Sequence, residues 1–131
     1  MSKATSIAAV GRLLLAIMFI LSGVGKIAAP EATQGFIASV GLPFPLLSYI
    51  VAVVVELGGG ILLVVGFQTR LVSLALAAFT FATAIVFHHD FADQNQMIHF
   101  MKNISIIGGL LQVAAFGAGS LSLDARRLRT A

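Results

Sequence analysis

The amino-acid sequence predicts an all-α integral membrane protein, a bundle of four transmembrane helices with both termini in the cytoplasm. Of its 131 residues, 59% are hydrophobic and only 10% are charged, whereas soluble domains carry about 25% charged residues. Four apolar stretches approach the roughly 20 residues that a helix needs to cross a bilayer. The basic residues stand at the ends of these stretches, which is typical of topology signals and argues against nucleic-acid binding.

The four spans belong to a single transmembrane domain that comprises the whole chain. They are predicted over residues 7–28, 46–66, 71–87 and 98–118. The first stretch also resembles a cleaved signal peptide, but Arg12 interrupts its apolar run and Lys26 lies beside the expected cleavage site. We therefore interpret it as a span.

The distribution of basic residues predicts the orientation. One side of the membrane receives Lys3, Arg12, Arg70, Arg126, Arg127 and Arg129, and the other receives Lys26 and Lys102 together with acidic residues. The positive-inside rule therefore predicts cytoplasmic termini. On the outer side, Phe36, Ile37 and Val40 have helical spacing, which predicts a short amphipathic helix in the first outer loop.

Glu56 is the most informative residue, because it lies at the midpoint of the second span, about 15 Å deep. A central acidic residue costs about 2.5 to 3.5 kcal/mol on insertion scales. Glu56 must therefore face the bundle and be paired or protonated. Lys102, about 6 Å below the outer end of the fourth span, is the favoured partner. Lys26 lies nearer the surface, where snorkelling to the headgroups explains it equally well.

Polar groups from three helices converge on the outer half of the bundle. The candidate ligand-binding or proton-relay residues are Lys26, Glu56, Lys102 and His99, and the supporting residues are Phe19, Gly23, Gly59 and Gly60. The small residues also let helix backbones approach closely in lipid. This pattern predicts a pocket between the helices, although a charge cluster that only fixes helix register would have the same pattern.

The second outer loop is rich in histidine and carboxylate residues. His88, His89 and Asp90 are weak candidate metal ligands, because imidazole and carboxylate groups suit zinc or iron. Their spacing matches no known metal site, and a solvated loop is the favoured interpretation. The chain has no cysteine, which excludes disulfide and thiolate chemistry.

Several segments, taken in order, resemble the DoxX family. They are "GRLLLAIMFILSGVGKI", an outer "GLP", "VELGGGILLVVGFQTR", a polar histidine loop, "KNISIIGGLLQV" and "GAGSLSLD". The residues that carry the resemblance are Arg12, Gly23, Lys26, Glu56, Gly59, Gly60, Gly66, Arg70, Lys102, Gly108, Gly109 and Asp124. The resemblance implies a bacterial inner (plasma) membrane protein with four helices and a link to quinone-dependent redox chemistry.

Three functions are compatible with these residues. The favoured hypothesis is a quinone-linked redox subunit that works with a partner enzyme, with a lysine binding a quinone carbonyl and Glu56 relaying a proton. One alternative is a proton-coupled or small-solute transporter or channel, which would require a homo-oligomer. The other is a non-catalytic membrane assembly partner. No catalytic motif is visible, so the sequence does not decide whether the protein is an enzyme.

Overall fold

The computed structural model describes residues 2–131, which form seven α-helices and one π-helical turn. Four helical segments are long and apolar enough to cross a membrane: Lys3–Ala28 (α1), Pro45–Val65, Thr69–Phe87 (α5) and Gln94–Phe116 (α6). The predicted all-α bundle of four membrane helices is therefore confirmed. The last segment begins four residues before the predicted span, because Asp93 caps it by accepting hydrogen bonds from two exposed backbone N–H groups, those of Asn95 and Gln96.

The second span is interrupted, and two short helices lie outside the spans. It consists of α3 (Pro45–Val53), a π-helical turn (Val54–Gly58) and α4 (Gly59–Val65). Helix α2 (Pro30–Ser39) is the short helix predicted in the first loop, and it follows α1 after a single residue. Helix α7 (Leu123–Thr130) closes the chain and carries three arginines.

Consecutive spans are antiparallel neighbours. Helix α1 packs on the second span, α4 packs on α5, and α5 packs extensively on α6. Both ends of the described chain lie at one end of the bundle, since Ser120 Oγ is 3.3 Å from Thr5 Oγ1. We call this the tail end and the opposite end the α2 end. That the tail end faces the cytoplasm stays a prediction from the positive-inside rule.

The core lies in the middle of the bundle and towards the tail end. Its buried members are Ala16, Phe19, Leu63, Val72, Leu76, Ala77 and Leu110. Large apolar side chains also face outwards, for example Leu14 at 65% and Leu71 at 67% exposure. Such exposure suits contact with lipid acyl chains rather than with water.

Glycines allow the closest helix contacts. A Cβ at Gly23 would lie 3.2 Å from the backbone nitrogen of Leu57, and a Cβ at Gly60 would lie 2.7 Å from Ile20 Cγ1. A Cβ at Gly59 would lie 2.8 Å from Leu76 Cδ2. These close approaches support the packing role predicted for the three glycines.

Arg12 stabilises the tail end from inside the bundle. Its side chain is buried, and its guanidinium donates hydrogen bonds to the carbonyl oxygens of Ala118 at 3.0 Å and Leu121 at 2.7 Å. The interpretation of Arg12 as a topology signal alone is therefore incomplete. A planar fork of donors can reach two carbonyls at once, and these two lie in the segment that follows α6. Gly66 has φ 68° and borders this guanidinium, so a side chain there would be strained and would collide with it.

Asp124 connects the tail to the turn between α4 and α5. Its carboxylate accepts hydrogen bonds from the backbone N–H groups of Gln68 at 2.8 Å and Thr69 at 2.9 Å, which caps α5. Burial acts to raise the pKa of Asp124, but the hydrogen bonds from Thr69 and Gln68 and the charge of Arg127 outweigh it. The pKa of Asp124 therefore lies below its ordinary value.

Candidate functional site

A cavity of about 900 Å³ occupies the bundle at the α2 end. Helices α1, α2, α3, α5 and α6 and the π-helical turn contribute its lining. Most of its lining is apolar, and the charged side chains in the lining are two lysines and one glutamate, namely Lys26, Lys102 and Glu56. A mainly apolar cavity with a few polar groups is the usual character of a small-molecule site.

Lys26 and Glu56 form a largely buried ion pair in the cavity wall. Lys26 Nζ lies 2.9 Å from Glu56 Oε2 and donates a hydrogen bond to Oε1 at 3.1 Å. Ser22 accepts a second hydrogen bond from the same ammonium at 3.0 Å. Glu56 Oε2 is buried, and the Lys26 ammonium is its polar neighbour. Both carboxylate oxygens therefore lie within 3.1 Å of the ammonium.

The backbone around this pair is unusual. Glu56 lies at the centre of the π-helical turn, and the next residue, Leu57, packs against Gly23 of α1. The Tyr49 hydroxyl donates a hydrogen bond to the Lys26 carbonyl oxygen at 3.2 Å, which joins α3 to the end of α1. Single π-helical turns inside α-helices are frequent at functional sites.

The preference for Lys102 as the partner of Glu56 is wrong. Within residues 2–131 the one salt bridge joins Glu56 to Lys26. The prediction placed Lys26 too near the surface. Lys26 lies one helical turn beyond the contact between Gly23 and Leu57, so its depth is close to that of Glu56. The end of α1 does not mark the surface at this point, because α2 continues the chain beside the cavity.

Lys102 belongs to a second polar group in the cavity lining, contributed by α6 and the end of α5. It lines the cavity together with His88 and Asn103, and the rings of His88 and His99 stack with their centroids 5.0 Å apart. Burial lowers the pKa of His88, and the nearby charges of His99 and Lys102 lower it further. The predicted candidates His99 and Lys102 are thus close to His88, and neither is part of the ion pair.

The weak metal candidates do not converge. His89 and Asp90 are exposed; His89 Nδ1 lies 3.0 Å from the Ile85 carbonyl oxygen, and Asp90 accepts a hydrogen bond from Ala92 N–H. Across residues 2–131, no three His, Asp or Glu side chains are arranged to hold a metal ion.

The supporting residues divide into two kinds. Phe19 is buried and lines the cavity. Gly23, Gly59 and Gly60 are packing residues outside the lining, and Gly23 acts on the site indirectly by bringing α1 close to the π-helical turn.

Two elements of the site were not predicted from the sequence. One is the π-helical turn, for which the sequence offers no dependable signal. The other is the stacking of Phe36 of α2 on Phe87 of α5, with ring centroids 5.3 Å apart, which brings both rings into the cavity lining. The helical spacing of Phe36 indicated an apolar face on α2 but not what that face contacts.

Comparison with known proteins gives a family match and several similar membrane proteins. The sequence model of the DoxX family matches residues 7–89. The chain is 40% identical over 115 residues to inner membrane protein YqjF of Escherichia coli (strain K12), covering 88% of this chain and 87% of that protein. It is 38% identical over 123 residues to inner membrane protein YphA of the same organism, covering 89% and 87%.

A more partial similarity is to a Bacillus subtilis (strain 168) protein named "Putative oxidoreductase CatD", 37% identical over 75 residues, or 57% of this chain and 54% of that protein. No solved structure is a significant match to the chain. Four apolar helices and a family match over well over half of the sequence lead to one conclusion. The chain is an integral membrane protein that belongs to the DoxX family.

Proposed function

We propose that this protein is a membrane subunit that binds a quinone in the cavity at the α2 end and works with a partner enzyme. The observation that carries the proposal is the cavity of about 900 Å³ with an ion pair in an otherwise largely apolar wall. A quinone is an apolar ring with carbonyl acceptors, so it requires an apolar volume and a donor at one edge. Lys26 supplies the donor.

Glu56 supplies the second requirement of quinone reduction, which consumes protons. Glu56 lines the cavity, and its carboxylate lies against the Lys26 ammonium. A carboxylate beside an ammonium can receive a proton and pass it to a ligand oxygen within hydrogen-bond reach. Electrons would have to arrive from a partner subunit. The name of the B. subtilis relative agrees with a redox role.

The protein contains no tryptophan, so a single introduced tryptophan can report on the cavity. Phe79→Trp gives a cavity reporter, because residue 79 is in the lining, and Phe116→Trp gives a tail-end reporter at an exposed position. Both variants are reconstituted in nanodiscs and titrated with decylubiquinone, which quenches tryptophan fluorescence on contact.

A bound quinone quenches the cavity reporter saturably, whereas partition into lipid quenches the tail-end reporter without saturation. Lys26→Met in the Phe79→Trp background weakens the saturable phase about tenfold, the equivalent of one charge-assisted hydrogen bond. Indistinguishable, unsaturated quenching at both reporters would reject the site.

Extraction of the protein purified from its native membrane, followed by chromatography, tests for retained quinone. Absence of quinone there, together with co-purified partners that show no quinone-dependent turnover, would reject the redox role.

A further inference from the structure

The charges around the cavity do not cancel. Glu56 is the one carboxylate in the lining, and its ion pair with Lys26 is internal. Lys102 lines the cavity from α6 with an exposed side chain, and no carboxylate among residues 2–131 lies within salt-bridge distance of it. The cavity therefore carries one positive charge without a partner.

Two carboxylates of the loop between α5 and α6 are hydrogen-bonded to the loop backbone. Asp93 caps α6 by accepting hydrogen bonds from the N–H groups of Asn95 at 2.8 Å and Gln96 at 3.3 Å. Asp90 accepts from Ala92 N–H at 3.2 Å within the same loop. Both carboxylates therefore stabilise the turn between α5 and α6, and neither forms a salt bridge with Lys102.

The groups beside Lys102 are also suited to an anion. His88 lines the cavity and stacks on His99, and both rings are half-buried. Asn103 is in the lining too, and its side-chain amide has a single long hydrogen bond, to the Thr80 carbonyl oxygen at 3.4 Å. An ammonium, an amide and an imidazole can together provide several donors to one anionic head.

We propose that the cavity binds an amphiphile with an anionic head, whose charge pairs with Lys102 beside His88 and Asn103 and whose apolar part fills the space towards Phe19. The chemistry is that of a carboxylate on an acyl chain or of a ring system with an ionised hydroxyl. This inference uses the same cavity as the proposed quinone function and specifies the polar end of its ligand. It does not depend on any electron transfer.

The test uses dansylaminoundecanoate, a fluorescent anionic amphiphile, with the full chain in nanodiscs of zwitterionic lipid. Octanoate and octanol then compete with the probe, because they have the same chain length and differ in charge. Inorganic phosphate is a third competitor that has charge without an apolar part. Empty nanodiscs give the probe signal due to lipid alone.

Octanoate displaces the probe at a concentration at least about tenfold lower than octanol, the equivalent of one charge-assisted contact, and phosphate alone does not displace it. Lys102→Gln abolishes this preference, and Lys102→Arg keeps it, which separates charge from folding. Lys3→Gln removes the same charge from an exposed position at the tail end and leaves the preference unchanged.

Equal potency of octanoate and octanol, or an unchanged preference in Lys102→Gln, overturns the anionic-head inference. Quinone quenching of the cavity reporter is measured in parallel, so the two proposals fail separately. Octanoate binding without quinone binding leaves this inference standing alone, and quinone binding without a charge preference rejects it while sparing the quinone site. Displacement by phosphate alone also contradicts it, because the apolar part would then have no role.

Discussion

The Lys26–Glu56 ion pair predicts different losses of stability for its two single substitutions, because the two side chains differ in their access to the membrane surface. Lys26 lies two residues before the end of α1 with 26% of its side chain exposed, whereas Glu56 is at the middle of its span with 9% exposed. Removing one partner of a buried pair costs about 3 to 5 kcal/mol when the remaining charge has no escape. A lysine left alone can extend towards the headgroups, and a central glutamate cannot.

We therefore expect unequal effects from the two single substitutions. Lys26→Met lowers the free energy of unfolding by about 3 kcal/mol, and Glu56→Leu lowers it by about 1 to 2 kcal/mol. The double variant removes both charges and loses no more than about 1 kcal/mol, since apolar replacement of a buried pair is often neutral. The coupling energy of the double-mutant cycle is then about 3 kcal/mol or more.

The assay is unfolding in mixed micelles with an increasing fraction of sodium dodecyl sulfate, followed by circular dichroism. Lys3→Met and Glu31→Leu provide a matched control cycle, because both residues are exposed and neither is in a salt bridge with the other. That control should be additive within about 0.5 kcal/mol. Additivity of the Lys26 and Glu56 changes, or a larger loss from Glu56→Leu than from Lys26→Met, would refute the reasoning.

Three further predictions use the same unfolding assay. Gly60→Val forces a contact with Ile20 and destabilises by about 1 to 3 kcal/mol; Gly108→Val, where no neighbouring atom lies within 4 Å, should change little, and equal losses would contradict the packing role. Asp124→Asn flattens the pH dependence of stability, since a lowered pKa contributes stability above the unfolded value that is lost as the pH falls through the folded value. An unchanged acid limb would contradict this. Arg12→Met destabilises by about 3 kcal/mol by leaving two carbonyl oxygens unpaired, and Arg12→Lys recovers less than half, because one ammonium replaces a two-pronged donor. Full recovery in Arg12→Lys would show that charge alone matters there.

The spans could be predicted from the sequence because the bilayer imposes a length and a composition on each helix. Glu56 could be identified as a buried residue that needs a partner for the same reason, since a central carboxylate is costly in lipid. The partner of Glu56 could not be predicted, because its identity depends on the axial offset between α1 and the second span. The contact between Gly23 and Leu57 determines that offset, and it is a tertiary contact.

The role of Arg12 shows a second limit of sequence reasoning. A basic residue near a helix end satisfies the positive-inside rule whether it faces headgroups or the protein interior. Arg12 faces the interior because the segment after α6 folds back and presents two carbonyl oxygens to it. That return depends on glycines at 117 and 119, both with φ of 80°, whose effect on chain direction is visible only once the helices are assembled.

Photoaffinity labelling with a diazirine-bearing quinone tests the central claim most directly, because it locates the ligand along the chain. Labelled protein is digested, and the modified residues are identified by mass spectrometry. We expect label in the cavity-lining parts of α1, α3 and α5, around Phe19, Val51 and Phe79, with competition by unlabelled quinone. Label confined to outward-facing side chains of α6 such as Met101 and Ile104, and insensitive to competitor, would contradict a ligand site in the cavity.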